Sequence, residues 1–117
     1  MNSVLLIDVE TTGLDPKVDR VIEVGAILYS VRCATVLEAF SSLIRADSNP
    51  AFGINRIPAE ALEDAPGPDW AWNSVARLAG QASAIVAHRA DFDRSFMPAS
   101  PPVLLALPWV RSKFDLH

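Results

Sequence analysis

Cysteine is almost missing from this 117-residue chain, in which Cys33 stands alone. A single thiol has no partner within the chain, which excludes a disulfide framework and points to a reducing compartment, the cytoplasm. An excess of positive charge is missing too. Ten lysines and arginines against 14 acidic residues leave a formal net charge of -4, which excludes a basic nucleic-acid sponge. No apolar run approaches the roughly 18 residues that span a bilayer, and the opening MNSVLLIDVE has neither the basic flank nor the cleavage pattern of a signal peptide. No membrane partner is expected. Repeats, low-complexity runs and interdomain linkers are absent as well, so residues 1–117 are expected to form one domain. With 50% hydrophobic residues, such a chain is no disordered tail and can bury a sizeable core.

What is present is a succession of apolar, β-branched runs. Ser3 to Glu10 (SVLLIDVE) turns polar at Asp8 and Glu10 and is followed by Thr11-Thr12-Gly13 and Asp15-Pro16, the pattern of a buried strand ending in a loop. Val21 to Ser30 predicts a second strand and Thr35 to Ile44 a third, with Val31 to Ala34 as a hairpin connection. Short connections predict an antiparallel meander. Asp47 to Pro68 reads as loop, punctuated by Pro50, Pro58, Pro66 and Pro68, with a short helix opening on Pro58 at its first position. Asp69 suits the N-cap of a helix in which Trp72, Val75, Ala76 and Ala79 share a face and which Gly80 ends. Ala84 to Ala87 predicts a short buried strand, parallel to an earlier one because a helix precedes it. A second helix is expected from Ala90 or Asp91, with Asp91 as N-cap, Phe92 and Phe96 on the buried side, and Pro98 as its limit. One further apolar piece, Leu104 to Val110, follows in proline-crowded chain. The pattern predicts an α/β layer fold with a mixed sheet.

Two places carry chemistry. Residues two apart on a strand face the same way, so Asp8 and Glu10 emerge side by side at the strand's carboxyl end. Like charges held that close repel unless a cation lies between them, and oxygen-only donors favour Mg²⁺ or Mn²⁺. The plainer alternative is that the two acids mark where a strand reaches solvent. Asp93 falls in the first turn of the second helix, where backbone N–H groups favour a carboxylate. A helix entered from a parallel strand delivers it to the sheet edge where ligands collect; the plainer alternative is an ordinary first-turn charge. Trp70, Trp72 and Trp109 have the spacing of core packing rather than of base stacking, and Cys33, near a hairpin turn, reads as structural.

Asp8-Val-Glu-Thr-Thr-Gly13, the Ile22-Glu-Val-Gly-Ala26 strand, the Ile54-Asn-Arg-Ile57 loop and Ala87-His-Arg-Ala-Asp-Phe-Asp-Arg-Ser-Phe96 together resemble the DEDD exonucleases (DEDDh type) of the DNA polymerase III epsilon, proofreading kind. The resemblance covers nearly the whole chain in the right order. It implies a ribonuclease H-like mixed sheet and a two-metal 3′→5′ exonuclease, with Asp8, Glu10 and Asp93 as the catalytic residues that hold Mg²⁺ or Mn²⁺. It implies that Thr11, Thr12 and Gly13 lie along the terminal nucleotide and that Ile54 and Ile57 belong to a loop on the terminal base. His88 matches a supporting position that is not the general base. Arg89 stands where the family usually has asparagine, within reach of a phosphate.

The family's third motif, an H-x-x-x-x-D that supplies a general base and a fourth metal-binding aspartate, lies beyond the stretch that Pro108 to Leu116 resembles, and nothing after Asp93 in these 117 residues supplies it. His117 ends the chain, and the neighbours of Asp115 match the segment before that motif. The expectation is therefore a domain incomplete at its C-terminus, lacking the final helix and weak or inactive alone, since a general base contributes about 10²–10⁴-fold. Apolar surface left bare by the missing helix predicts a homodimer or other self-association. The expected partner is the 3′ end of single-stranded nucleic acid, DNA ahead of RNA, held with modest affinity and little sequence preference. A second reading is a shortened relative that binds nucleic-acid ends or a protein without cleaving. A third takes Asp8-Val-Glu-Thr-Thr as a loose aspartate-nucleophile phosphatase motif, which Lys17 and Lys113 are not placed to complete.

Overall fold

The computed structural model describes residues 2–113. Five strands make one sheet in the order β3-β2-β1-β4-β5. β1 (Ser3–Thr11), β2 (Val21–Ser30) and β3 (Thr35–Leu43) form the antiparallel meander; β4 (Ala84–Ala87) and β5 (Trp109–Arg111) complete the sheet. β4 runs parallel to β1, and β5 parallel to β4. Parallel strands need a crossover, and α3 (Pro68–Ala79) supplies the one before β4, while α4 (Ala90–Ser95) and α5 (Val103–Ala106) lie in the one before β5. Two short helices, α1 (Phe52–Asn55) and α2 (Ala59–Glu63), interrupt the long connection after β3.

Strand alternation decides the layers. Leu5, Ile7 and Val9 of β1 point to one face together with Val24, Ala26 and Leu28 of β2, and Trp72, Val75 and Leu78 of α3, Leu104 of α5 and Met97 close over them. The opposite face of β1 carries Leu6, Asp8 and Glu10, all partly exposed. There Leu6, Asp8, Gly25, Ile27, Ala39 and Ser41 line an open concavity of about 430 Å³. A smaller cluster of Ile22, Ala46, Ile57 and Leu62 packs under α2.

The expected strands are all present, and the helix ends differ. α3 begins two residues early, with Gly67 as N-cap and Pro68 inside the first turn; a proline's fixed φ and missing N–H suit that place. Asp69 is thus a first-turn charge and not the cap. Asp91 is likewise not a cap: Arg89 holds that position and Asp91 lies within the first turn. Pro58 is the N-cap of α2 rather than its first residue. Phe92 and Phe96 are half-buried and stack on each other at 5.0 Å, while Ala90 and Asp93 form the buried side of α4. The apolar piece from Leu104 splits into α5 and β5. Trp72 is buried as expected, but Trp70 is 54% exposed and leans on Phe40. Cys33 is exposed in the β2–β3 turn, not buried structure. Asp115 and His117 lie outside the described residues.

Candidate active site

β1 is the central strand, and its carboxyl end presents Asp8 and Glu10 on the partly exposed face. Opposite Asp8 stands Gly25, so no side chain from β2 crowds that carboxylate. Opposite Glu10 stands Glu23, a third acid on the same face, which the sequence reading did not single out; only the pairing register makes it visible. Because β4 is parallel to β1, the chain leaving β4 reaches this same edge. His88 and Arg89 form the link, and α4 packs back on β1, β4 and β5. Asp93, on its inner side, is only 3% exposed. Its backbone N–H donates to the Arg89 carbonyl at 2.8 Å, which fixes the turn that carries it. A carboxylate buried this deeply is costly unless hydrogen-bonded or matched by positive charge.

After Thr11 the chain folds on itself. The Thr11 hydroxyl donates to the Gly13 carbonyl at 2.6 Å. The Thr12 hydroxyl donates to Asp19 Oδ1 at 3.0 Å and accepts from the Arg20 N–H at 3.1 Å. Asp15 N–H donates to the other Asp19 oxygen at 3.1 Å. Both threonines are 8% exposed, and their hydroxyl protons are spent inside the loop; what they offer a ligand is the loop's shape. A methyl group on Gly13 would meet the Asp19 carboxylate directly, so glycine is required by close approach. Asp19 was missed in the sequence; the local turn signal belongs to Asp15, whose Oδ1 accepts from the Lys17 N–H at 2.9 Å.

A second clamp fastens α1 to the same edge. Asn55 Nδ2 donates to the Thr11 carbonyl at 3.0 Å. Asn49 Nδ2 donates to Asn55 Oδ1 and to the Ile57 carbonyl, each at 2.8 Å. Ile57 N–H closes the ring by donating to Asn55 Oδ1 at 3.2 Å. The two isoleucines of this loop have opposite fates: Ile57 is buried, whereas Ile54 is 87% exposed. Asn49 and Asn55 are residues that sequence reasoning missed. Their types mark them as turn formers, but nothing in the sequence says that one reaches back 44 positions to Thr11.

Asp8, Glu10 and Asp93 offer only oxygen donors, which fits a hard divalent cation. Among the described residues no three His, Cys, Asp or Glu side chains gather into a ready-made cage. Mg²⁺ and Mn²⁺ do not need one, because they usually bind through one or two carboxylates with water and substrate phosphate. The donor chemistry therefore fits the group.

The sequence model of the RNase_T exonuclease family matches residues 5–110. The chain belongs to the exonuclease family. The chain is 31% identical over 116 residues to the PolC-type DNA polymerase III of Thermotoga maritima, covering 95% of the chain and 8% of that relative. It is 34% identical over 95 residues to the DNA polymerase III subunit epsilon of Treponema pallidum, covering 79% of the chain and 43% of the relative. The chain thus spans well under half of the curated relatives' length. Among solved structures, the metal-free E. coli ExoI–ssDNA complex superimposes with a TM-score of 0.70 at 19% identity, covering 82% of this chain and 23% of that one. Cell-death related nuclease 4 superimposes at 0.64 and 16% identity, over 83% of this chain and 40% of that one. These likenesses give the fold, a ribonuclease H-like mixed sheet.

Proposed function

We propose that this chain is a metal-dependent 3′→5′ exonuclease unit that acts on single-stranded nucleic-acid 3′ ends, DNA ahead of RNA. The observation that carries the reading is the meeting of two elements at one sheet edge: the Asp8–Glu10 end of the central strand and the buried Asp93 on the helix that packs against it. In this reading Asp8, Glu10 and Asp93 hold Mg²⁺ or Mn²⁺. Such ions, when bound, supply Lewis-acid activation of the attacking water and stabilisation of the leaving 3′ oxygen. The residues of the chain do the positioning. The Thr11-Thr12-Gly13 loop shapes the place of the terminal sugar, and Ile54, exposed on a helix tied to Thr11, sets an apolar edge against the last base. His88, at the turn between β4 and α4, supports the edge, and Arg89 faces the phosphates.

The H-x-x-x-x-D formed by His88 and Asp93 belongs to the second motif, and no further one follows it in the 117 residues, so no general base is assigned and turnover by the chain alone is slow. That observation favours a second reading, a module that holds nucleic-acid ends without cleaving them. Incubating a 5′-labelled single strand with the protein and Mn²⁺ separates the two. A slow ladder of shortened products that disappears in Asp8→Ala supports the enzyme; binding without turnover at high protein concentration sinks it in favour of the module. The open face lined by Leu6, Ile27 and Ala39 supports self-association as a homodimer, and no helix in the chain spans a membrane among the described residues.

A further inference from the structure

Two arginines stand together at the carboxyl edge of the sheet, beyond the carboxylates. Register places Arg111 of β5 beside Ala87, the last residue of β4, and the Ser112 N–H donates to the Ala87 carbonyl at 2.9 Å, so the backbone that carries Arg111 is fixed. Arg89 follows Ala87 by two residues. Its guanidinium lies over the Phe92 ring, 3.9 Å from the centroid, and Phe92 is braced by Phe96 at 5.0 Å. That contact holds the guanidinium beside the ring, and its forked N–H groups are of the kind that matches phosphate oxygens. Arg89, Ala90, Asp91, Phe92 and Arg111 line one open concavity of about 220 Å³. Both arginines are exposed, and neither has a carboxylate hydrogen-bonded to it among the described residues.

In a chain of net charge -4, these two cations face one hollow with no carboxylate hydrogen-bonded to either among the described residues. Asp91 offsets one of the two charges and leaves the hollow net positive. Like charges side by side repel, and an anion between them relieves this. We infer that Arg89 and Arg111 form a phosphate subsite for the bound strand, gripping a phosphodiester of the same nucleic acid whose 3′ end enters between Asp8, Glu10 and Asp93. The inference rests on the exonuclease reading and deepens it. The carboxylate edge takes the end of the strand, and the arginine pair takes its backbone, without reading sequence.

The test is the salt dependence of binding. The probe is a 5′-fluorescein oligothymidylate, with Ca²⁺ in place of Mn²⁺ to suppress turnover, and anisotropy gives Kd across a salt series. For single strands each phosphate contact contributes about 0.7 to the slope of log K against log salt. Arg89→Ala and Arg111→Ala are expected each to lower the slope by about that much, and the double variant by about 1.4, with affinity falling on the order of tenfold per arginine. Arg32→Ala, which removes the same charge in the β2–β3 turn at the far edge, leaves the slope as it was. A double variant that binds with the unchanged slope overturns the subsite while the exonuclease reading stands. A wild-type chain that does not bind the oligonucleotide at all overturns both. If inorganic phosphate, at matched ionic strength, loses its affinity in the double variant while the oligonucleotide keeps its own, the hollow takes free anion and the strand assignment is overturned.

Discussion

Asp19 occupies the space that a side chain at position 13 would need, and it is held there by Thr12 and by the Asp15 N–H. Gly13→Ala therefore costs about 1–3 kcal/mol, the usual range for overpacking a fixed neighbour, read as a lower urea midpoint. Gly53, in α1, has nothing within 4 Å of its added Cβ, and Gly53→Ala gains about 0.4–1 kcal/mol by restricting the unfolded chain. Asn49→Ala leaves the buried Ile57 carbonyl without its donor and costs about 1–3 kcal/mol. If the Asn49–Asn55 ring positions Ile54, the same variant also weakens oligonucleotide binding more than its stability loss explains. At this scale the sequence was informative where a residue acts through its neighbours in the chain. The pairing of Asp8 with Glu10 follows from strand periodicity alone. The roles of Glu23, Asn49, Asn55 and Asp19 depend on partners fixed only by register or by long loops, and no local pattern announces them.

Elements were legible when their periodicity was long. β1 and β2 carry continuous apolar runs that cannot be solvated, and each was read with its end within a residue of the observed one. α3 showed its buried stripe too, and Leu78→Ala, which empties a position with no solvent exposure in the core, is expected to cost about 2–5 kcal/mol in chemical unfolding. Short elements were less readable. Four-residue α1 has no stripe, and α4 buries the carboxylate of Asp93 more deeply than either phenylalanine, although Phe96 packs against the core as expected. Glu38 of β3 and Arg77 of α3 form an ion pair on the surface. The hydrogen bond from Arg77 holds the Glu38 carboxyl below its usual range. A carboxyl lowered in the folded state adds stability above its unfolded pKa, which is lost as pH falls through the folded value. Both groups are exposed, so screening leaves little: Glu38→Gln is expected to leave the Tm at neutral pH nearly unchanged and to flatten only the acid limb of the stability curve.

At the scale of the molecule, one layer of helices covers one face of the sheet, and the other face carries both the acids and an apolar concavity. If the acids hold a divalent ion, Mn²⁺ at a hundredfold over its Kd adds about 2.7 kcal/mol of stability; a thermal shift that persists in Asp8→Asn speaks against those ligands. If the concavity mediates self-association, light scattering shows the dimer falling to a monomer in Ile27→Glu, with the circular dichroism spectrum unchanged. The overall architecture was legible because parallel and antiparallel pairing follow from connection length. Which face stays open was not, because it depends on what the helices cover once folded. The β2–β3 turn has a practical consequence of its own. Cys33, the only thiol, is exposed there, at the end of the sheet where Ser3 pairs with Ser30. Asp8 lies about 17 Å further along the strand at the usual rise per residue. A maleimide surface would therefore capture every molecule by one atom and in one orientation, with the carboxylate edge turned away from the support and open to a passing strand.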